Sequence, residues 1–428
     1  MRISTSMQYS NHLAYLQKAN TNVDKASQSY NTGLKFQTAG ENPGGMAASI
    51  KYQSDIVAYK QYSTNASIVA DNLSQEETAL GQIWDSLGSI KTRLIQSVNG
   101  TLDDGSRAAL AEDIKQTQAQ LFDLMNTKNS EGEYIFSGAQ SKVPTYQLQS
   151  DGTYICQADG SNKFVNVSPT IRVQTTDSGL NIFENVRLAD DFTTTNSTIT
   201  GLVSGLSDYD QFSSFFKDNY QYGSAGQDAQ APANTGYIKV QDDGTWSLYV
   251  GVADPAPQGT QPAATGFVKD GKIEVEGMSF AFPDENYTLP AGQTQTISFS
   301  LDKPQTDNIL NQLTDMIDNL LMPKDEYAAN GYSNDQLVRD LSKMQENVNL
   351  AMKQVDTYRG EVGARGSNID AIIKSNETLG DAKSEAKANV TEIDAFEAVS
   401  NMVMAQNALQ VAQQSYNLVH SSTLFDYM

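Results

Sequence analysis

Residues 51–100 read KYQSDIVAYKQYSTNASIVADNLSQEETALGQIWDSLGSIKTRLIQSVNG. Steps of four and three from Tyr52 land on Ile56, Tyr59, Ser63, Ala66, Ala70, Leu73, Glu77, Leu80, Trp84, Leu87, Lys91, Leu94 and Val98. Eleven of these 14 positions are apolar or aromatic, which a strand repeating every second residue would not produce. A heptad pattern kept this long predicts one long helix burying a single stripe against partner helices. Ile56, Leu73, Leu80, Trp84, Leu87 and Leu94 are its expected bundle seam.

Beyond the turn at 100–105, Leu110, Ile114, Leu121 and Leu124 share the face of a shorter helix, which Asp103, Asp104 or Ser106 could cap. The other end of the chain repeats the long pattern. Leu337, Leu341, Met344, Val348, Ala351, Val355, Tyr358, Val362, Arg365, Ile369, Ile372, Asn376 and Leu379 keep the four–three alternation, 11 of the 13 being apolar or aromatic. Leu341, Val355, Val362, Ile369 and Ile372 are the expected seam on this side. Gly360, Gly363 and Gly366 each lower helix propensity by about 1 kcal/mol relative to Ala, and predict close helix approach or a local bend. The seam weakens over 380–388 and resumes in another phase at Ala395, Ala398, Met402, Ala405, Leu409, Ala412, Tyr416 and Val419. Near the N-terminus, Tyr9, Leu13, Leu16, Asn20, Val23, Ser27, Tyr30 and Leu34 hold a weaker seam, which ends at the helix-breaking run 40–45.

Nine of the 11 prolines lie between residues 143 and 305, so the helix breakers are concentrated in a central insert. There Tyr154-Ile155-Cys156 and Phe164-Val165-Asn166-Val167 flank an Asp-Gly turn, and Ile171, Val173 and Thr175 alternate. Asp242-Asp243-Gly244 between two apolar alternating runs predicts a hairpin. Ile273 and Val275, then Ile297, Phe299 and Leu301, read as further strands, residues 255–266 as a loop, and Tyr209, Phe212 and Phe216 as one short helix. The expected fold class is α+β and multi-domain: a long coiled-coil-like helical bundle built from both chain ends, with a central β-rich insert. The expected domains are 1–42 with 390–428 (terminal helices), 43–140 with 305–389 (bundle) and 141–304 (exposed insert, one or two subdomains).

The 428-residue chain carries 29 Lys and Arg against 51 Asp and Glu, a net charge of −22. Such a balance argues against nucleic-acid binding, which draws its affinity from basic side chains, and against a polybasic membrane patch. No run predicts membrane insertion: residues 398–425 are free of formal charge but carry many Gln, Asn and Ser side chains. Residues 3–17 are equally charge-free, and the N-terminal stretch lacks the apolar core of a secretory signal. One cysteine, Cys156, and two histidines, His12 and His420, predict no disulfide framework and no His/Cys metal site. The acidic pairs Asp190-Asp191 and Asp242-Asp243 read as solvated turns, and the Gly360 run lacks a dinucleotide fingerprint. No catalytic constellation and no cofactor are expected.

Five short motifs, in order along the chain, carry a resemblance. They are Met1-Arg2-Ile3-Ser4-Thr5; Gly33-Leu34-Lys35-Phe36 followed by Glu41-Asn42-Pro43-Gly44-Gly45; Asn99-Gly100-Thr101-Leu102 running to Arg107-Ala108-Ala109-Leu110; Tyr134-Ile135-Phe136-Ser137-Gly138; and Ser422-Thr423-Leu424-Phe425-Asp426-Tyr427-Met428. Together they resemble the flagellin family, and within it the hook–filament junction proteins (hook-associated protein 3), over residues 1–140 and about 305–428. The resemblance implies a flagellin-like fold and an extracellular structural protein of the bacterial flagellum, joining the hook side to the filament as a tubular zone. It implies export through the flagellar type III channel without a cleaved signal. The implied partners are further copies of the chain, the hook-side junction protein (hook-associated protein 1), flagellin and a flagellar export chaperone. On this reading Leu13, Leu16, Val23, Leu34, Met402, Leu409, Tyr416, Val419, Leu424 and Phe425 form the assembly interface. Charge-free helices that have little to bury against in a monomer can be surrounded by copies of themselves. The alternatives are a filament flagellin and, from another class, a secreted adhesin or surface enzyme on a coiled-coil stalk.

Overall fold

The computed structural model describes residues 5–98, 102–223, 233–283, 292–327 and 334–425. Three helices open the chain: α1 (Thr5–Thr32), α2 (Pro43–Ser97) and α3 (Asp104–Met125). Four short strands follow, β1 (Tyr146–Leu148), β2 (Tyr154–Cys156), β3 (Phe164–Asn166) and β4 (Arg172–Gln174). Next come β5 (Phe192–Ser197), β6 (Val203–Leu206), α4 (Tyr209–Asn219), β7 (Thr235–Val240), β8 (Thr245–Val250), β9 (Ala264–Phe267), β10 (Lys272–Val275), β11 (Met278–Ala281) and β12 (Gln295–Leu301). The chain closes with α5 (Ile309–Leu321), α6 (Asn334–Thr391) and α7 (Ala395–Phe425). Residues 1–70, 165–173 and 367–428 form one compact unit, and residues 71–164 and 174–366 a second.

The helices begin where the sequence supplies caps. Asn42 Oδ1 accepts from Gly45 N at 2.9 Å, with Pro43 at the first helical position, where its missing N–H costs nothing. Of the three candidates at α3, Asp103 is the cap, accepting from Ser106 N at 2.9 Å. Asp208 and Asn308 cap α4 and α5 in the same way.

In the second unit, α2 buries Leu73, Glu76, Leu80, Ile83, Leu87, Ile90, Leu94 and Ser97. This is a strict heptad column, but only half of it is the expected one. Leu73, Leu80, Leu87 and Leu94 lie in it, whereas Trp84 is 36% exposed and Ile83 takes its place. The residues three and four positions after a column member lie on opposite flanks of it, and the partner elements cover the i+3 flank. On α6 the same unit buries Leu337, Leu341, Met344, Val348, Ala351, Val355 and Val362. The two helices come close at small residues of α2: a Cβ on Gly81 would lie 3.8 Å from Arg359 Nη2, and one on Gly88 3.7 Å from Met352 Cε. Gly360, Gly363 and Gly366 do not serve close approach, since nothing lies within 4 Å of a Cβ there, and α6 runs through them unbroken. Helix α3 is tied to α5 by Gln118 Nε2, which donates to Leu310 O at 2.7 Å and Thr314 Oγ1 at 2.9 Å.

Strand β2 pairs with β1 across the Asp151-Gly152 turn, and β3 pairs with β4. The expected hairpin around Asp159-Gly160 is therefore absent. The Asp159 carboxylate is engaged instead by the amides of Ala139 and Ser161. Beside it sits Gly138, at φ +67°, where a Cβ would lie 2.6 Å from Asp159 O. The Tyr134–Gly138 motif is thus a packed corner: Ile135, Phe136 and Ser137 are buried, and Phe136 meets Phe183 edge-on at 5.3 Å.

The rest of the insert is two antiparallel sheets, β5-β12-β7-β8-β9 and β10-β11-β6. Their shared core, with α4, includes Phe192, Phe212, Phe280, Phe299, Ile238 and Leu248, and every member lies between residues 192 and 301. The Asp243-Gly244 turn joins β7 to β8, with Gly244 at φ +83°. The expected loop at 255–266 ends in the edge strand β9. Two strand stems close this region: Asp302 N donates to Asp191 O at 3.0 Å, and Leu188 N to Gln305 O at 2.9 Å.

The first unit uses polar helix positions to hold a β turn. Asn376 Nδ2, buried on α6, donates to Val167 O at 2.8 Å, and Asn65 Nδ2 on α2 donates to Asn166 O at 3.0 Å. Val167 itself is fully buried. Ile369 is buried in this unit, while Ile56 and Ile372 are half-buried.

Candidate functional site

The terminal helices α1 and α7 pair antiparallel within the first unit. At one end Tyr9 and Tyr416 share a hydroxyl hydrogen bond of 2.7 Å, their rings 5.7 Å apart. That bond pushes the Tyr416 hydroxyl above the ordinary tyrosine range. At the other end the chain leaving α1 bridges the α6–α7 connection. Lys35 N donates to Thr391 O at 2.7 Å, Ile393 N to Gly33 O at 2.8 Å, and Lys35 Nζ to Asn389 O at 2.8 Å. Gly33 adopts φ +69°, the left-handed conformation that ends helices and that glycine reaches without strain. Asp394 caps α7 by accepting from Phe396 N at 2.8 Å.

The turn between α1 and α2 packs around Phe36, which is buried. A Cβ on Gly45 would lie 2.6 Å from Phe36 Cζ, so the motif pairs an aromatic ring with a residue that has no side chain. Glu41 Oε2 accepts from Gln37 N at 2.7 Å and from Thr38 N, and these amides hold its carboxyl below the usual range. Beside the turn a cleft of about 510 Å³ is lined by Leu34, Phe36, Met46, Lys387 and Thr391.

Within the pair, α7 buries Ala398 and half-buries Met402, Ala405, Leu409, Ala412 and Tyr416. On α1, Ala19 is buried and His12, Leu16, Val23 and Ala26 are half-buried. Of the expected interface residues, Leu16, Val23, Leu34, Met402, Leu409 and Tyr416 are thus partly covered inside the monomer. Leu13 is 37% exposed on the outer side of α1, because the covered column runs through His12 and Ala19. The side chains of Val419, Leu424 and Phe425 lie outside the described residues, as does much of the motif at 422–428.

The same helices carry apolar residues on the outside. Phe396 is 84% exposed, Leu418 73%, and Val399, Val403, Met404 and Val411 are exposed with them. On α1 the exposed set includes Met7, Tyr15 and Tyr30. A further column, Ile50, Val57 and Ile68, stands exposed on the N-terminal part of α2. These residues lie outside the expected interface, because one seam per helix leaves a second apolar face unmarked. The sequence marks the α2 column only weakly: Ile50, Val57 and Ile68 share its face with the polar Ser54, Gln61 and Thr64.

Elsewhere, acidic pairs have structural partners. Asp190 pairs with Arg187 at 2.6 Å, Asp191 with Lys343, and Asp243 accepts from Thr245 N at 2.8 Å. Cys156 is half-buried, and burial pushes its thiol up. No group of three or more His, Cys, Asp or Glu side chains is placed to hold a metal among the described residues. No described helix is long and apolar enough to cross a membrane.

Residues 3–141 match the bacterial flagellin N-terminal helical region. The flagellar hook-associated protein 3 of Escherichia coli K12 is 25% identical over 186 residues, 44% of this chain and 58% of that protein. A flagellin of Clostridium tyrobutyricum is 26% identical over 198 residues, 46% of each chain. The match thus spans about half the length of these curated relatives. The crystal structure of flagellar hook-associated protein 3 from Legionella pneumophila superposes with a TM-score of 0.56 at 20% identity, covering 79% of this chain and 98% of that one. The fold is shared with that protein.

Proposed function

We propose that this chain, whose N-terminal helical region is similar to that of bacterial flagellins, is a structural subunit of the bacterial flagellum that joins the hook side to the filament as a tubular adaptor. The observation that carries the reading is the terminal pair α1/α7. Helix α7 has no formal charge after Glu397 and exposes apolar side chains on the face that α1 leaves uncovered. Burying each large one contributes about 1.5–3 kcal/mol, which a repeating assembly collects from every subunit. Copies of the chain are the occupants with the matching chemistry: uncharged, apolar, and edged with Gln, Asn and Ser that tolerate a wet lumen. In this reading residues 1–42 and 390–428 are the tube core, 43–140 and 305–389 the bundle, and 141–304 the exposed insert. The protein is extracellular, reaches its place through the flagellar export channel with a chaperone, and contacts the hook-side junction protein at one end and flagellin at the other. It performs no catalysis.

Labelling a tagged copy on isolated flagella tests this. A band confined to the hook end is the expected result. Label along the whole filament makes the chain a filament flagellin, and absence from flagella overturns the reading.

A further inference from the structure

The second unit holds a buried cluster with more acid than base. Glu76, on the seam of α2, has no exposed surface. Its Oε1 accepts from Asp177 N at 2.9 Å, while Oε2 is buried without a hydrogen-bond partner among the described residues. Asp177 is 5% exposed, accepts from Gln174 Nε2, and pairs through Oδ2 with Arg365 of α6. Two buried carboxyls therefore share one guanidinium. The other groups facing the cluster do not change that balance. Tyr358 of α6 is held neutral by burial and feels Asp177, Arg365 and Glu361. Arg359 lies 4.0 Å from Asp356 and packs over Gly81, its Nε buried without a hydrogen-bond partner among the described residues. On α2 itself, Glu77 is exposed.

We propose that Glu76 keeps its proton in the folded chain and acts as an acid-tightened latch, holding the loop at 174–178 on α2 when protonated and releasing it when ionised. A neutral carboxyl still accepts the Asp177 amide through Oε1, and its hydroxyl can face the Asp177 carboxylate. An ionised one sets two like charges together without water, which the single Arg365 cannot neutralise. Burial and the Asp177 charge push the Glu76 carboxyl well above its ordinary 4.5. The sign follows: the raised group contributes fully below its unfolded pKa, and that contribution is lost as the pH rises through the folded value.

The test compares full-length wild type with Glu76→Gln, whose amide keeps the acceptor and offers a fixed donor. Between about pH 8 and about pH 5, the wild-type urea midpoint is expected to rise toward that of the variant, which stands higher at the alkaline end. Refolding in weak buffer should take up about one proton more per wild-type molecule. The protection factor of the Asp177 amide should climb on acidification in wild type, a readout that needs no variant to fold. Asp177→Asn should shrink the wild-type pH dependence. Equal pH dependence in wild type and Glu76→Gln, or a variant less stable throughout the range, overturns the proposal.

Discussion

The seam of the second unit and the terminal pair of the first are written in the same four–three code but are buried to different degrees. Leu80 has no exposed surface, and neither do Ile83, Ile90 and Leu94 around it. Leu409, at the centre of the α7 seam, is half-buried, and its helix leaves Val403, Met404 and Val411 exposed. A heptad residue in the first setting stabilises the monomer. In the second, it leaves part of its apolar surface uncovered, and the proposed assembly would bury it.

The largest expected effect breaks that contrast at its centre. Leu80→Asp should leave the chain unfolded or nearly so at room temperature. It removes a buried leucine, worth about 2–5 kcal/mol even as Ala, and adds an unpaired buried charge. Leu409→Asp in the otherwise wild-type chain should lower the melting temperature far less, costing about 1–2 kcal/mol because the leucine is only half-buried, yet abolish assembly on flagella. Equal loss of melting temperature in the two would place α7 within the monomer's core.

A smaller pair sharpens where the seam lies. Ile83→Ala should cost about 2–5 kcal/mol by urea titration, and the adjacent Trp84→Ala less than about 1 kcal/mol, although the side chain removed is larger. The reverse order would restore the column through Trp84. Gly138→Ala should cost about 1–3 kcal/mol, from the positive φ and the Asp159 carbonyl its methyl meets; differential calorimetry would show this as a single lowered transition. Smallest of all, replacing residues 192–301 with a short Gly/Ser bridge should leave the bundle's helical circular dichroism essentially unchanged, because that core is filled by its own side chains. Extending the deletion back to 145 should lower the bundle's stability, since Val167 and Asp177 go with it.

Much of this was legible from residues alone. Proline placement separated insert from helices, Asp243-Gly244 marked its hairpin, and positions 73, 80, 87 and 94 marked the seam because every reading of a heptad passes through them. What residues could not settle was the flank. Val69, Glu76, Ile83, Ile90 and Ser97 form one option, and Ala70, Glu77, Trp84, Lys91 and Val98 the other, with three apolar members each. On a helix both flank the shared column, so hydrophobicity is silent and the covering elements decide. The same holds for Glu76 and Asn376, polar residues in buried columns. Each looks like a flaw until the tertiary fold brings the Asp177 amide or the Val167 carbonyl to it, because a buried polar group needs a partner and here a distant part of the chain supplies one.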